Sequence, residues 1–424
     1  MNNDTLEGSL SPSKAIFLYC IVAFFLFFEM AIQVSPSVMS SQLMHDLNIG
    51  TFGLGIMSGI YFYTYTAMQI PSGVLFDRYN PRVIITLSIL ICVTGTFLFG
   101  LSQNIYTGSL ARLLMGSGSA FAFVSVLVVT ADLFKPRYFA AITGTTQMLA
   151  ALGAMTGQMP ISLLVTHIGW RNTLFTLSLI GLLLALIVWR SLNYKKSTHL
   201  IKSIAHESMT KTSLKSIIVQ PQTWCIALYS CLLWAPMSSF ASLWGVPFLK
   251  EIYPFDQTRA AFLCSLMWFG LAIASPFLGI ISTSSENRVY PLAISALMGG
   301  IAFYLVLQFH FSALFVGLLL FIAGAACSGQ ALSFTVVKEN NPGSATGTAI
   351  AFNNMAVVIS GALFQPLIGK LLENDKTGLF GTYNIFHFKN VLTILFFAYL
   401  LSFLVALFFI KEPNNKNLGI TASP

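Results

Sequence analysis

The chain has 424 residues, of which 56% are hydrophobic and 8% charged. Soluble domains carry about 25% charged residues, so a water-exposed globule is excluded and a bilayer is the solvent that fits, as the mean hydropathy of +0.77 also says. The formal charge of +8 is spread over short breaks between apolar runs, which excludes the basic groove or arm of a nucleic-acid binder.

The first residues, Met1 to Lys14, are polar and include Asp4 and Glu7. A cleaved signal would begin with a basic segment, so the first apolar run is expected to stay as a membrane span. A spanning helix needs roughly 20 apolar residues. On that measure twelve spans are predicted, near 15–39, 51–75, 83–101, 108–131, 139–166, 172–190, 222–248, 258–281, 290–309, 312–336, 344–369 and 390–410. The fold class expected is an all-α membrane protein of 12 transmembrane helices in two pseudo-symmetric six-helix bundles. With the N-terminus placed in the cytoplasm, fifteen lysines and arginines fall in cytoplasmic segments and six on the other side. The excess of basic residues on the cytoplasmic side predicts a cell inner (plasma) membrane protein with both termini inside.

The longest polar stretch follows six runs and precedes six more. It divides the chain into an N-terminal bundle (1–190), a cytoplasmic linker (191–221) and a C-terminal bundle (222–424). Echoes at half the chain length support an internal repeat. Thr143-Gly144-Thr145 returns as Thr346-Gly347-Thr348, and Gly73 with Arg82 returns as Gly279 with Arg288. The six cysteines (Cys20, Cys92, Cys225, Cys231, Cys264 and Cys327) lie inside apolar runs without metal-ligand spacing, as small packing residues do.

Two ionisable side chains sit well inside spans. Glu29 is central in span 1, and Arg112 lies about one turn from the outer end of span 4. A charge at that depth costs several kcal/mol and usually faces a cavity or a partner. Burial favours the neutral acid, while a nearby guanidinium favours the carboxylate. Together Glu29 and Arg112 could therefore form a proton-coupling pair whose balance changes with conformation; the competing reading is a fixed strut between two helices. Arg112 is also suited to gripping a substrate carboxylate. Candidate substrate contacts are Gln33, Ser37, Tyr61, Tyr65, Arg112, Gln147, Tyr229, Trp234, Gln330, Asn353 and Asn354. Of the adjacent pair in span 11, one asparagine is expected between helices and the other toward a cavity. Trp170-Arg171 reads as an interfacial anchor, and His310 and His387 as loop residues.

The segment Gly73-Val-Leu-Phe-Asp77-Arg78-Tyr-Asn-Pro-Arg82, with Arg112-Leu-Leu-Met-Gly116-Ser-Gly118-Ser-Ala120 in span 4, resembles the signatures of the major facilitator superfamily. Asn80 stands where that family prefers Gly, and Asn tolerates a left-handed turn. The resemblance implies alternating access, with Asp77 facing the start of span 11 and Arg137 as an added partner. Gly73, Asp77, Arg78, Arg82 and Arg137 would then form a cytoplasmic gate, with Gly73 allowing another helix close. Thr283 replaces the acid in the second half, which makes the gate one-sided. Gly144, Gly153 and Gly157 resemble the antiporter motif of span 5, although Gln158 replaces its proline and Pro160 follows.

Within the family, Ile32 to Met39 and Tyr63 to Pro71 are similar to nutrient carriers of intracellular pathogens. That group includes phagosomal amino-acid transporters and is distantly similar to lysosomal dipeptide carriers. The function implied is proton-coupled uptake of a small polar solute, an amino acid or short peptide, by a monomer without cofactor. Its partners are the solute, protons and the lipid bilayer, and not nucleic acid. Alternatives are proton-driven efflux of drugs or metabolites, a carrier of a carboxylate siderophore, and a solute-sensing receptor. Enzyme activity is not expected, since no HExxH, G-x-S-x-G or P-loop is present.

Overall fold

Helices begin where the sequence supplies caps. Pro12 opens the first helix, with the Ser11 hydroxyl accepting from the Lys14 amide at 3.4 Å. Asn104 and Thr107 form a capping box at the start of span 4, satisfying amides that a helix leaves orphaned. Asn80 behaves differently from its expected left-handed turn. Its φ of −66° and ψ of 127° are extended, and its side chain caps the Arg82 amide at 2.9 Å. The cause is Pro81, because a proline ring pushes the residue before it into extended geometry.

The protein is described here by a computed structural model covering residues 11–135, 139–193, 217–284, 287–341, 346–373 and 384–412. Most of the expected linker lies outside these residues. Ten stretches are long and apolar enough to cross a membrane. One of them, Thr145–Ser191, crosses twice, because Gly169 breaks the helix Phe139–Ser191 with a φ of 76° that a residue without Cβ adopts freely. The helix Thr51–Arg78 has 28 residues but is rich in Thr, Tyr and Gly, so its apolarity falls short although its length does not. Twelve spans result.

Spans 1 to 6 are Pro12–Val38, Thr51–Arg78, Pro81–Leu101, Ile105–Leu133, 139–168 and 170–191. Spans 7 to 12 are Pro221–Ile252, Gln257–Ser284, Val289–Gln308, Ala313–Glu339, Thr346–Glu373 and Ile385–Phe408.

The irregular spans come in matching pairs. Span 1 ends in a 3₁₀ turn at Ser35–Val38, and span 7 contains a π-helical stretch at Met237–Trp244. Spans 4 and 10 both break midway, after Ser119 and after Ala326. Irregular backbone inside a membrane survives where protein or a cavity surrounds it, so the four broken spans mark the interior. Prolines within helices repeat as well: Pro71 and Pro276 lie inside spans 2 and 8, and Pro160 and Pro366 inside spans 5 and 11.

Candidate functional site

A cavity of about 880 Å³, counting its open part, lies between the two halves. Of the candidate contacts, Gln33, Tyr65, Gln147, Trp234, Gln330 and Asn354 line it, together with Leu26, Met30, Phe62, Phe123, Trp268, Leu271, Ser275 and Phe334. Among the described residues its walls hold no Asp, Glu, Lys, Arg or His. Trp234 and Trp268 meet edge to face at 6.3 Å. The sequence did not single out Phe62, Phe123, Trp268 or Phe334.

Glu29 and Arg112 lie behind this wall, each about 1% exposed. They form no ion pair with each other. Tyr61 stands between them: its hydroxyl donates to Glu29 Oε1, and its ring face lies 4.5 Å from the Arg112 guanidinium carbon. Glu29 Oε2 and Arg112 Nε have no hydrogen-bond partner among the described residues. The other Arg112 nitrogens donate to the carbonyls of Ile32 and Gln33 at 3.4 Å and of Ser58 at 3.5 Å. Pro36 has no amide to offer the Ile32 carbonyl, so the broken end of span 1 supplies Arg112 with an acceptor.

Besides Arg112, four candidates stand away from the cavity wall. Tyr61 is part of the buried group just described. Tyr229 is fully buried and donates to the Leu292 carbonyl at 3.0 Å. Asn353 packs between helices, bonded to the hydroxyls of Ser230 at 2.9 Å and Ser333 at 2.8 Å. Ser37 donates to Gln158 Oε1 at 3.2 Å. Asn354 faces the cavity and donates to Gln69 Oε1 at 3.1 Å.

The end of the cavity away from the chain termini is closed. Gln158 of span 5 donates to the Ala241 carbonyl in the π-helical stretch, and Gln257 of span 8 donates to the Val38 carbonyl. Thr51 donates to the Gly369 carbonyl at 2.8 Å, joining spans 2 and 11. Gly153 and Gly157 seat span 5 on span 1, where a Cβ would come within 2.3 Å of the Phe27 carbonyl oxygen and 2.5 Å of the Ala31 carbonyl oxygen. Beyond this seal, the Trp170 indole donates to Asp46 at 2.8 Å and Arg171 donates to the carbonyls of Gly100 and Ser102. Both residues therefore tie loops together; Trp170 is 4% exposed and does not reach an interface as an anchor would. The His45 ring, then the Trp170 indole, hold the Asp46 carboxyl below the usual carboxylate range. His310 stacks on Tyr253 at 4.5 Å, and the His387 ring meets the Leu371 carbonyl at 2.9 Å.

At the other end, a Cβ on Gly73 would meet nothing within 4 Å. Among the described residues, the close helix approach expected there is absent. Arg78 is exposed, and Arg82 lies over the Trp189 ring at 4.1 Å. Arg137 and the Asp77 side chain lie outside the described residues, as does the Thr283 side chain. In the second half, Arg288 pairs with Glu339 at 3.2 Å, and Glu412 accepts from the amides of Arg288 and Val289 at 2.8–3.0 Å. That carboxylate sits at the start of span 9, where the helix dipole favours it.

Among the described residues, twelve spans surround a central cavity sealed at the end away from the termini, the architecture of a polytopic helical membrane protein. The family model of the Major Facilitator Superfamily matches residues 19–365, and the chain belongs to that family of membrane transporters, which are not enzymes. It is 22% identical over 394 residues to the uncharacterized transporter YybO of Bacillus subtilis, covering 87% of this chain and 90% of that protein. It is likewise 22% identical over 402 residues to the probable sulfoacetate transporter SauU of Cupriavidus necator, covering 85% and 86%. The solved structure of a bacterial homologue of the human lysosomal transporter Spinster, inward-facing and occupied, superposes with a TM-score of 0.78 at 15% identity, covering 96% of this chain and 99% of that one.

Proposed function

We propose that this transporter takes up a small polar solute together with protons, working as a monomer by alternating access in an inner (plasma) membrane with both termini cytoplasmic. The observation that carries the reading is Glu29: a buried carboxyl without an ion pair, bonded at one oxygen and unpartnered at the other. An uncompensated charge in such a place is costly. Any change in the surroundings of Glu29 between states would therefore be accompanied by gain or loss of a proton. Tyr61 lets Arg112 act on that group without touching it.

On this orientation the sealed end is the outer one and the cavity faces the cytoplasm. The gate of Gly73, Asp77, Arg78, Arg82 and Arg137 would close the inner end in the opposite state. The solute class favoured is an amino acid or short peptide. It is supported by uncharged amide-bearing walls and by the likeness of Ile32 to Met39 and Tyr63 to Pro71 to phagosomal amino-acid carriers. A second reading, a small organic anion, is favoured by the name of the sulfoacetate relative and by Arg112 as a fixed cation that another conformation would uncover.

The test is solute-driven proton movement. Purified protein in liposomes containing a pH-sensitive dye is given neutral amino acids, dipeptides or organic acids in turn. Interior acidification on adding an amino acid or dipeptide is expected. Solute flux with no proton movement would end the coupling reading, and acidification with organic acids alone would favour the second.

A further inference from the structure

Four side-chain amides share one level of the cavity region. Gln69 in span 2 and Gln330 in span 10 each lie nine residues from the terminus-side end of their helix, and Gln147 in span 5 and Asn354 in span 11 each lie eight. At about 1.5 Å per residue they form a layer some 12–14 Å deep. Gln69 and Asn354 bond to each other, and Gln69 Nε2 is buried without a partner among the described residues. The amides of Gln147 and Gln330, both on the cavity wall, make no hydrogen bond to any described residue. Gln330 is itself 5% exposed, so its free amide is enclosed. Past this layer, nearer the sealed end, the wall turns aromatic with Phe62, Trp234 and Trp268, and Trp268 Nε1 is also buried and unpartnered.

We propose that the solute is a net-neutral zwitterion with a large apolar side chain, an amino acid of the leucine or phenylalanine type. Its charged end meets the amide layer, and its side chain enters the aromatic chamber. This rests on the amino-acid reading above and narrows it. A primary amide presents two N–H donors and a carbonyl acceptor, so a group of amides answers an ammonium and a carboxylate together without preferring either sign. A solute with net charge would enter walls that hold no opposite charge, at a high desolvation cost. A small polar side chain would leave the aromatic chamber without its apolar contact.

The experiment is thermal unfolding of the purified protein with equal concentrations of L-leucine, L-phenylalanine, L-serine, L-glutamate or L-lysine. Leucine and phenylalanine are expected to raise the midpoint, since a ligand bound only to the folded state stabilises it, and the other three to leave it unchanged. In Gln330→Leu the concentration needed for the same shift should rise at least tenfold. Gln147→Leu provides the same reading if that variant does not fold, and the wild-type series stands without either. Serine acting as well as leucine, or glutamate or lysine acting best, would overturn the inference. So would an unchanged response in a folded Gln330→Leu or Gln147→Leu. No shift with any amino acid overturns it too, while proton-coupled uptake of another solute in liposomes would leave proton coupling intact.

Discussion

The two halves share one framework and differ in what they bury. In the first half, Glu29, Tyr61 and Arg112 place ionisable groups deep among spans 1, 2 and 4. In the second, the deep polar groups are neutral: Ser230, Ser333 and Asn353 bond among themselves, and Tyr399 donates to the Ala323 carbonyl at 3.0 Å beside Cys327. A neutral network with its partners made has little reason to change between states. A carboxyl with an unpartnered oxygen does. On the proposed coupling, the two halves share the frame, while response to an ion rests on the half that buries charge. Nearer the surface, the second half carries the Arg288–Glu339 ion pair and the first half the His45–Asp46 contact.

Packing should prove symmetric where charge is not. A Cβ on Gly324 of span 10 would lie 1.9 Å from the Met267 carbonyl oxygen of span 8, and one on Gly116 of span 4 would lie 2.2 Å from the Tyr61 carbonyl oxygen of span 2. Both approaches involve backbone, which cannot swing aside. Gly324→Val and Gly116→Val should therefore each abolish a monodisperse, folded product in size-exclusion chromatography. A folded Gly324→Val beside a lost Gly116→Val would break the symmetry of the frame.

Deep polar substitutions should separate the halves. Arg112→Met removes hydrogen bonds to three carbonyls and a cation–π contact, and should cost about 3 kcal/mol of stability. Asn353→Leu removes two bonds to hydroxyls that can still bond each other, and should cost about 1–2 kcal/mol, with transport retained. Chemical unfolding in detergent, paired with uptake, reads both. Loss of transport in a stable Asn353→Leu would make the neutral network a working part.

The smallest effect is expected at the loop beyond the sealed end. The partners of Asp46 hold its carboxyl below the usual range in the folded protein. Stability from a depressed acid is present above the unfolded value and is lost as pH falls through the folded one. Asp46→Asn should thus lower the unfolding midpoint slightly at pH 7, and the gap to wild type should close in acid below the ordinary carboxylate range. A gap that does not depend on pH would assign the effect to Trp170 packing.

Span count and the two odd charges were legible in the sequence because both are statements about composition along a line. Proline spacing is legible too: Pro71 and Pro276, and Pro160 and Pro366, stand 205 and 206 positions apart, within one residue of the Gly73–Gly279 echo. Which side chains face the cavity was harder to see. A helix apolar on every side has no polar face to orient it, so nothing in the sequence marks Phe62, Phe123 and Phe334 as cavity residues. The place of Tyr61 between Glu29 and Arg112 depends on three spans meeting, which no single stretch of sequence displays. At Asn80 the family pattern suggests a left-handed turn, whereas Pro81, the next residue in the chain, decides the geometry.

The central claim is that one half carries the ion response through Glu29. Glu29→Gln keeps shape and a hydrogen-bonding group but cannot exchange a proton. In liposomes preloaded with solute, this variant should still exchange labelled for unlabelled solute at a rate near wild type. Under an imposed pH gradient it should fail to accumulate solute above the outside concentration. Accumulation equal to wild type in a well-folded Glu29→Gln would contradict the account.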